Sequence, residues 1–399
     1  MSVCAPGSAA ELITRYLGFD CSAADPVVTL RNPAQLANWT LPVLEYTIIL
    51  GAVLALLHAM RRWRRDGDPT NLAIWLASLL YLFVIEPPLY FPQWFGLQHS
   101  VGFMFSHNVF SVQFMYDRLP LYIVAFYPAV SQLAYEIVRA LGVFARRGPL
   151  AGAVCTALVY QAFYEIFDQL GPQMKWWAWN VDEPFFGGTA SDLGNKANSP
   201  MLASVPMNSI WLFASVSFGV LIYLAVRLIG VSSAAGAPPR GFSLGWRIVV
   251  TGVCAPIGMV VFSIPTAIFG QGTPNVTAQT IVLTTELAAF WVIGLAVLAR
   301  HLRDPQRTSG VDPRSAMPFI VVFGALYLVV FAVLWISALP AYLDAVDGVT
   351  AAGTPTGSLA YAIACFVLAV AALGAAAVTA ARAGRVDRPE LVGFSTPRS

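Results

Sequence analysis

The sequence predicts an all-α polytopic membrane protein: a helical bundle of about nine transmembrane spans, N-terminus outside, C-terminus in the cytoplasm. Three observations carry this. The 399 residues are 57% hydrophobic and 11% charged, with a mean hydropathy of +0.67, whereas a soluble domain carries roughly a quarter charged residues. Apolar runs recur at the length of roughly 20 residues that a helix rising about 1.5 Å per residue needs to cross a hydrocarbon core about 30 Å thick. Basic residues alternate between successive loops.

The polar segment 1–40 comes first and lacks a basic-then-apolar signal pattern. It holds Cys4 and Cys21, which outside the cell are free either to bridge or to remain two thiols. The helical domain, 41–382, contains runs at 41–60, 71–91, 119–141, 149–170, 207–229, 245–269, 277–298, 316–339 and 358–381. Pro87 and Pro88 end the second run, Pro128 interrupts the third, and Pro256 and Pro265 interrupt the sixth, each removing a backbone donor. Two outer loops, 92–118 and 171–206, are long enough to be structured. Their rings, among them Trp94, Phe105, Phe110, Trp176, Trp177 and Trp179, read as an interfacial aromatic belt. The tail 383–399 reads as disordered.

Orientation follows from the arginines. One alternating set of loops and the C-terminal tail holds 18 of the 23 basic residues; the other set, with the N-terminal segment, holds only Arg15, Arg31, Arg118, Lys175 and Lys196. Short cytoplasmic loops retain Lys and Arg, so the first set faces the cytoplasm and the chain spans the plasma membrane in multiple passes. A net charge of +2 is too small for a nucleic-acid partner. Membrane lipids are the expected surroundings, with an envelope protein a further partner for the long loops.

Six acids fall within or beside the spans: Glu45, Glu86, Glu136, Glu165, Asp168 and Glu286. An ionisable group in hydrocarbon costs a few kcal/mol, so such residues face cavities or pair with polar groups. Glu45, Glu86, Glu165 and Asp168 lie roughly 3 to 8 Å inside the outer boundary at helical rise and share one layer. Glu136, near the cytoplasmic end, reads as a snorkelling or capping group. Glu286 sits nearer mid-membrane on a span with Thr277, Gln279, Thr280, Thr284 and Thr285, a candidate proton relay.

Gln161, Glu165 and Asp168 are spaced i, i+4, i+7 and share one helix face. That stripe should point into the bundle, where adjacent carboxylates repel and leave a proton donor beside an anion. General acid catalysis, a proton relay or a divalent metal site all fit such a pair, as does a structural hydrogen-bond cluster. His99 and His107, with Asp117 and the acidic layer, could complete an outer metal site; their spacing matches no metal motif, which favours solvated loop histidines. Walker, dinucleotide-binding and G-x-S-x-G motifs are absent.

The stretch Tyr164-Glu165-Ile166-Phe167-Asp168-Gln169-Leu170-Gly171-Pro172, followed by Trp177-Ala178-Trp179-Asn180 and then by Val205-Pro206-Met207-Asn208 with Trp211, resembles the integral membrane carotenoid-biosynthesis hydratases. The likeness covers residues 160–215; segment 181–204 is an insertion, and Asn208 follows Pro206 by two residues with no Gly before Trp211. The resemblance implies acid-catalysed addition of water to a polyene or isoprenoid chain, with Glu165 or Asp168 as proton donor.

The sequence therefore predicts a lipid- or isoprenoid-modifying enzyme, or a lipid-binding protein, with catalytic carboxylates Glu165, Asp168, Glu86 and Glu45. Gln161, Trp176, Trp177, Trp179, Asn180, Asn208 and Trp211 would contact the substrate. A proton-coupled transporter using Glu286 and a non-catalytic envelope scaffold are the rivals.

Overall fold

The computed structural model describes residues 3–97, 102–181, 198–270, 274–306 and 312–386. Among them a short helix, α1 (Ala9–Leu17), precedes nine helices long and apolar enough to cross a membrane. These are α2 (Thr40–Asp66), α3 (Thr70–Tyr90), α4 (Leu121–Ala140), α5 (Val143–Asp168), α6 (Ser209–Ala234), α7 (Gly241–Phe269), α8 (Val276–Leu302), α9 (Arg314–Leu343) and α10 (Leu359–Ala383). The molecule is an all-α polytopic bundle.

Helices α4 and α5 form its centre, with 89% and 83% of their apolar windows buried, whereas α7 and α8, at 28% and 22%, form the edge. Around the central pair, α2 and α3 pack on α4, α10 packs on α5, and α7 packs on α3. Small residues permit the close approaches: a methyl group at Gly252 of α7 would overlap α3 at Ala77 and Leu80. Pro87 and Pro88 fall in the last turn of α3, as expected, but of the three prolines expected to interrupt spans only Pro256 does so. The seventh helix breaks between Cys254 and Ile257, at Pro256, while Pro128 and Pro265 are absorbed inside helices. Gly148, with φ 82°, kinks α5 just before Pro149. The sixth opens as a π-helical stretch, Ser209–Ser217, in which Ser215 and Ser217 donate to the carbonyls of Ile210 and Leu212, five residues back.

At the N-terminal segment, the Ser8 side chain accepts from the Glu11 N–H at 3.3 Å and left-handed Gly18 closes α1. Cys4 and Cys21 are joined in a disulfide across this helix. The loops beside it pair as short strands: β1 (Val28–Leu30), β2 (Phe105–His107), β3 (Val112–Phe114), β4 (Leu119–Pro120), β5 (Trp177–Trp179), β6 (Met201–Leu202) and β7 (Val205–Pro206). The order β1-β3-β4 makes one sheet, and β2 with β5 and β6 with β7 make two antiparallel pairs. Pairing of β2 with β5 sets Phe105 opposite Trp179 and His107 opposite Trp177, joining the two long loops.

This pairing corrects the reading of the loop rings as a belt. Trp94 and Phe95 are half exposed, but Phe105, Phe110, Trp176 and Trp177 are buried, because the strands fold them back over the helix ends. Glu136 is likewise fully buried instead of snorkelling. Arg139 donates to it at 2.7 Å, Asn71 Nδ2 donates to it at 2.6 Å, and His58 lies 3.4 Å away, so partners inside the bundle replace water.

Candidate active site

The last turns of α3 and α5 and the first turns of α4 and α6 meet beneath the β2–β5 pair. The turn of α3 that contains Pro87 and Pro88 carries Glu86, Leu89 and Tyr90. Residues Tyr122, Phe126 and Tyr127 follow one another around one face of α4, and Tyr164, Phe167 and Asp168 do the same on α5. Between them lies a cavity of about 120 Å³. Its polar lining includes Glu86, Asp168, Tyr127, Tyr164, His107, Ser209 and Asn208; Phe126, Phe167, Trp177 and Phe213 are among its aromatic walls. Met259 of edge helix α7 closes one side.

Each carboxylate is held on one oxygen. The Tyr127 hydroxyl donates to Glu86 Oε1 at 2.5 Å, while Glu86 Oε2 is buried with no hydrogen-bond partner among the described residues. The Ser209 hydroxyl donates to Asp168 Oδ2 at 3.0 Å and lies 3.2 Å from the Tyr164 hydroxyl. Neither acid is in an ion pair among the described residues, and no Lys or Arg lines the cavity. A buried charge ordinarily needs a counter-charge or several hydrogen bonds. Two acids from different helices that open on one apolar space can exchange protons with whatever occupies it.

His107 was expected to be solvated and is instead 3% exposed. Its Nε2 lies 3.1 Å from the Tyr90 hydroxyl and its Nδ1 3.0 Å from that of Tyr122. Burial pushes the imidazole down to about 3, so it is neutral at physiological pH. The ring therefore acts as a hydrogen-bond bridge between α3 and α4, itself lining the cavity. Arg118 is also buried; it donates to Ser106 at 3.0 Å and lies over the Phe103 ring, holding β2 in place. His99 lies outside the described residues.

The structure brings some of the expected site residues together and separates others. Glu86 and Asp168 share the cavity with Trp177, Trp179 and Asn208. Glu165 is fully buried but lies outside it: Gln169 Nε2 donates to Glu165 Oε2 at 3.0 Å, and Oε1 has no partner among the described residues. Glu45 is a loop anchor, accepting the backbone N–H of Ser111 at 2.9 Å and of Val112 at 3.2 Å. Gln161 donates to the Ile210 carbonyl and accepts from Trp291 Nε1. Trp176 donates to Thr40, and Asn180 to the Phe103 carbonyl. Trp211 donates to Glu286 at 2.7 Å, pairing a proposed substrate residue with the relay candidate on α6 and α8, apart from the cavity.

Sequence reasoning gave Tyr127, Tyr164 and Ser209 no site role and read His107 as a solvated loop histidine. The signal that could have found two of them is spacing, since Tyr127 lies at the level of Glu86 on an antiparallel neighbour and Tyr164 is four residues from Asp168. The position of His107 depends on a pairing between strands some seventy residues apart. Among the described residues one cluster has metal-ligand geometry, Cys4, Asp20 and Cys21, and its two sulfurs are bonded to each other. Comparison with family models, curated proteins and solved structures finds no match for this chain.

Proposed function

We propose that the cavity is the active site of a membrane enzyme performing acid–base chemistry on an apolar, lipid-borne substrate, with hydration of an isoprenoid double bond as the reaction. One observation carries this reading: Glu86 and Asp168, from different helices, line a single aromatic-walled cavity to which no cation contributes. In this mechanism Asp168 gives a proton to one alkene carbon. Water adds at the other, and its released proton passes to Glu86; exchange between the two acids through solvent restores the starting state. Aromatic faces favour the cationic character that develops on carbon between these steps. The resemblance of residues 160–215 to carotenoid hydratases points to the same substrate class.

The volume suits this use. At roughly 30 Å³ per water molecule the space holds about four waters, and it is smaller than the 300 Å³ or so of a typical small-molecule pocket. It therefore admits the end of a chain while the rest stays in the bilayer. Met259, on an edge helix, and Phe213 mark the side from which a chain would enter.

The test is lipid and pigment profiling of the native host carrying wild type, a deletion, Asp168→Asn or Glu86→Gln. Loss of a positioned general acid or base costs about 10²- to 10⁴-fold in rate, so all three altered strains should accumulate the same precursor while the two variants remain folded and membrane-inserted. An unchanged profile in the deletion strain would sink the reading. A precursor that accumulates in the deletion strain and in neither variant would move the chemistry away from this cavity.

A further inference from the structure

At the opposite ends of the same helices lies a second cavity, about 700 Å³ in volume, that shares no lining residue with the first. Thr70 lines it, and Glu86 on the same helix lines the carboxylate cavity. Sixteen residues of helix, about 24 Å, separate them. The C-terminal turns of α2 present Arg61, Arg62 and Arg65 to the second cavity, and Arg139 and Arg314 face them from α4 and the start of α9.

The three aspartates in its wall are already engaged. Arg62 contacts Asp66 at 2.7 Å and Asp68 at 3.0 Å, and Arg314 lies 3.8 Å from Asp312. Arg139 is neutralised from below by Glu136. That leaves Arg61 and Arg65, one helical turn apart and exposed, with no ion-pair partner among the described residues. Gly230, Ser233 and Ser315 give part of the facing wall small side chains. Retention of arginine on one side of a membrane requires only that it lie on that side. Arg64 and Arg303 meet that requirement without lining the cavity, so the convergence of five arginines on one half-open cavity needs a different account.

We propose that this cavity is a binding site for a phosphate group, with Arg61 and Arg65 as its primary ligands. Two guanidinium groups a turn apart offer the planar, bidentate donors that phosphate oxygens accept. The volume falls within the range of about 300 to 1,000 Å³ usual for ligand sites. Its place at the helix ends is the depth of lipid headgroups, where basic pockets between transmembrane helices hold anionic lipids. A soluble phosphate ester would satisfy the same donors. The site is independent of the carboxylate chemistry and stands whether or not that reading does.

The experiment compares wild type, R61Q/R65Q and a charge-matched control, R64Q/R303Q, in phosphatidylcholine nanodiscs. The thermal unfolding midpoint is followed as phosphatidylglycerol is added to the discs or inorganic pyrophosphate to the buffer. One or both anions should raise the midpoint of wild type and control alike, while R61Q/R65Q needs on the order of tenfold more anion for the same rise. A response to phosphatidylglycerol alone identifies a headgroup site; a response to pyrophosphate in neutral discs identifies a soluble phosphate ligand. An equal response in all three proteins, or none in wild type to either anion, overturns the proposal. Both side chains are exposed, so the unliganded midpoint of R61Q/R65Q should match wild type. Arg65→Gln alone supplies the measurement should the double variant not fold.

Discussion

The uncharged His107 imidazole ties two helices together through Tyr90 and Tyr122, and this makes the fold sensitive to acid. The unfolded chain takes up a proton near the ordinary value of 6.5, whereas the folded protein resists until about 3. Between those values the unfolded state binds more protons, so stability rises with pH. The His107 contribution is complete above about 6.5 and is lost progressively as pH falls towards 3. We expect the unfolding midpoint of detergent-solubilised wild type to drop across that window. His107→Gln, which keeps a donor and an acceptor without a titrating ring, should flatten that part of the profile. An equal slope in both proteins would assign the acid sensitivity to other groups. The catalytic proposal makes a separate demand at this scale, since Asp168→Asn preserves the acceptor for Ser209 and so removes the acid without emptying its hydrogen bond.

Elements were legible to different degrees, for physical reasons. All nine spans appear near their expected positions because a run of apolar residues is what hydrocarbon selects, and no distant partner is needed to form it. Several helices continue further than hydropathy indicated: α2 runs to Asp66 and α8 to Leu302, because helical hydrogen bonding extends past the apolar core into arginine-rich turns. Placement of side chains across elements was not legible. Glu45 sits at the same depth as Glu86, yet one anchors a loop and the other lines the cavity, a difference set by helix rotation and by the fold of residues 105–120. The polar stripe of α5 does turn inward, but its members take different neighbours: Gln161 meets α6 and α8, Glu165 meets Gln169, and Asp168 meets Ser209. A test at the element scale follows from Glu45. Replacing it by Ala leaves two loop N–H groups without their acceptor at a cost on the order of 3 kcal/mol. Glu45→Ala should lower the unfolding midpoint and expose loop 105–120 to protease, whereas Glu45→Gln, retaining one acceptor oxygen, should lose less. A Glu45→Ala protein as stable and protease-resistant as wild type would show that the strands hold the loop unaided.

For the molecule as a whole, the decisive contrast is between its two ends and its flanks. Large apolar side chains stand exposed along the edge helices, among them Val260 at 65%, Ile268 at 64% and Val292 at 68%. A surface of this kind is stable against lipid tails, where helical hydrogen bonding keeps most backbone groups paired within each span. One end carries the disulfide-closed N-terminal segment, the strand pairs and the carboxylate cavity; the other carries the arginine cavity. Such polarity fixes how the bundle should sit, because translocating the end with 18 of 23 basic residues is the disfavoured insertion. Single exposed positions report it directly. Trp94, beside the strand pairs, and Arg64, at the arginine end, are both exposed. In intact cells a membrane-impermeant maleimide should label the Trp94→Cys protein and leave the Arg64→Cys protein unlabelled until the membrane is permeabilised. Of the three native free cysteines, Cys155 and Cys365 are buried and Cys254 is half-buried, and all lie within the spans, so they contribute little background. Labelling in the reverse order would place the N-terminus in the cytoplasm. It would also turn the carboxylate cavity towards the inner leaflet, so that any substrate would be met on the cytoplasmic side.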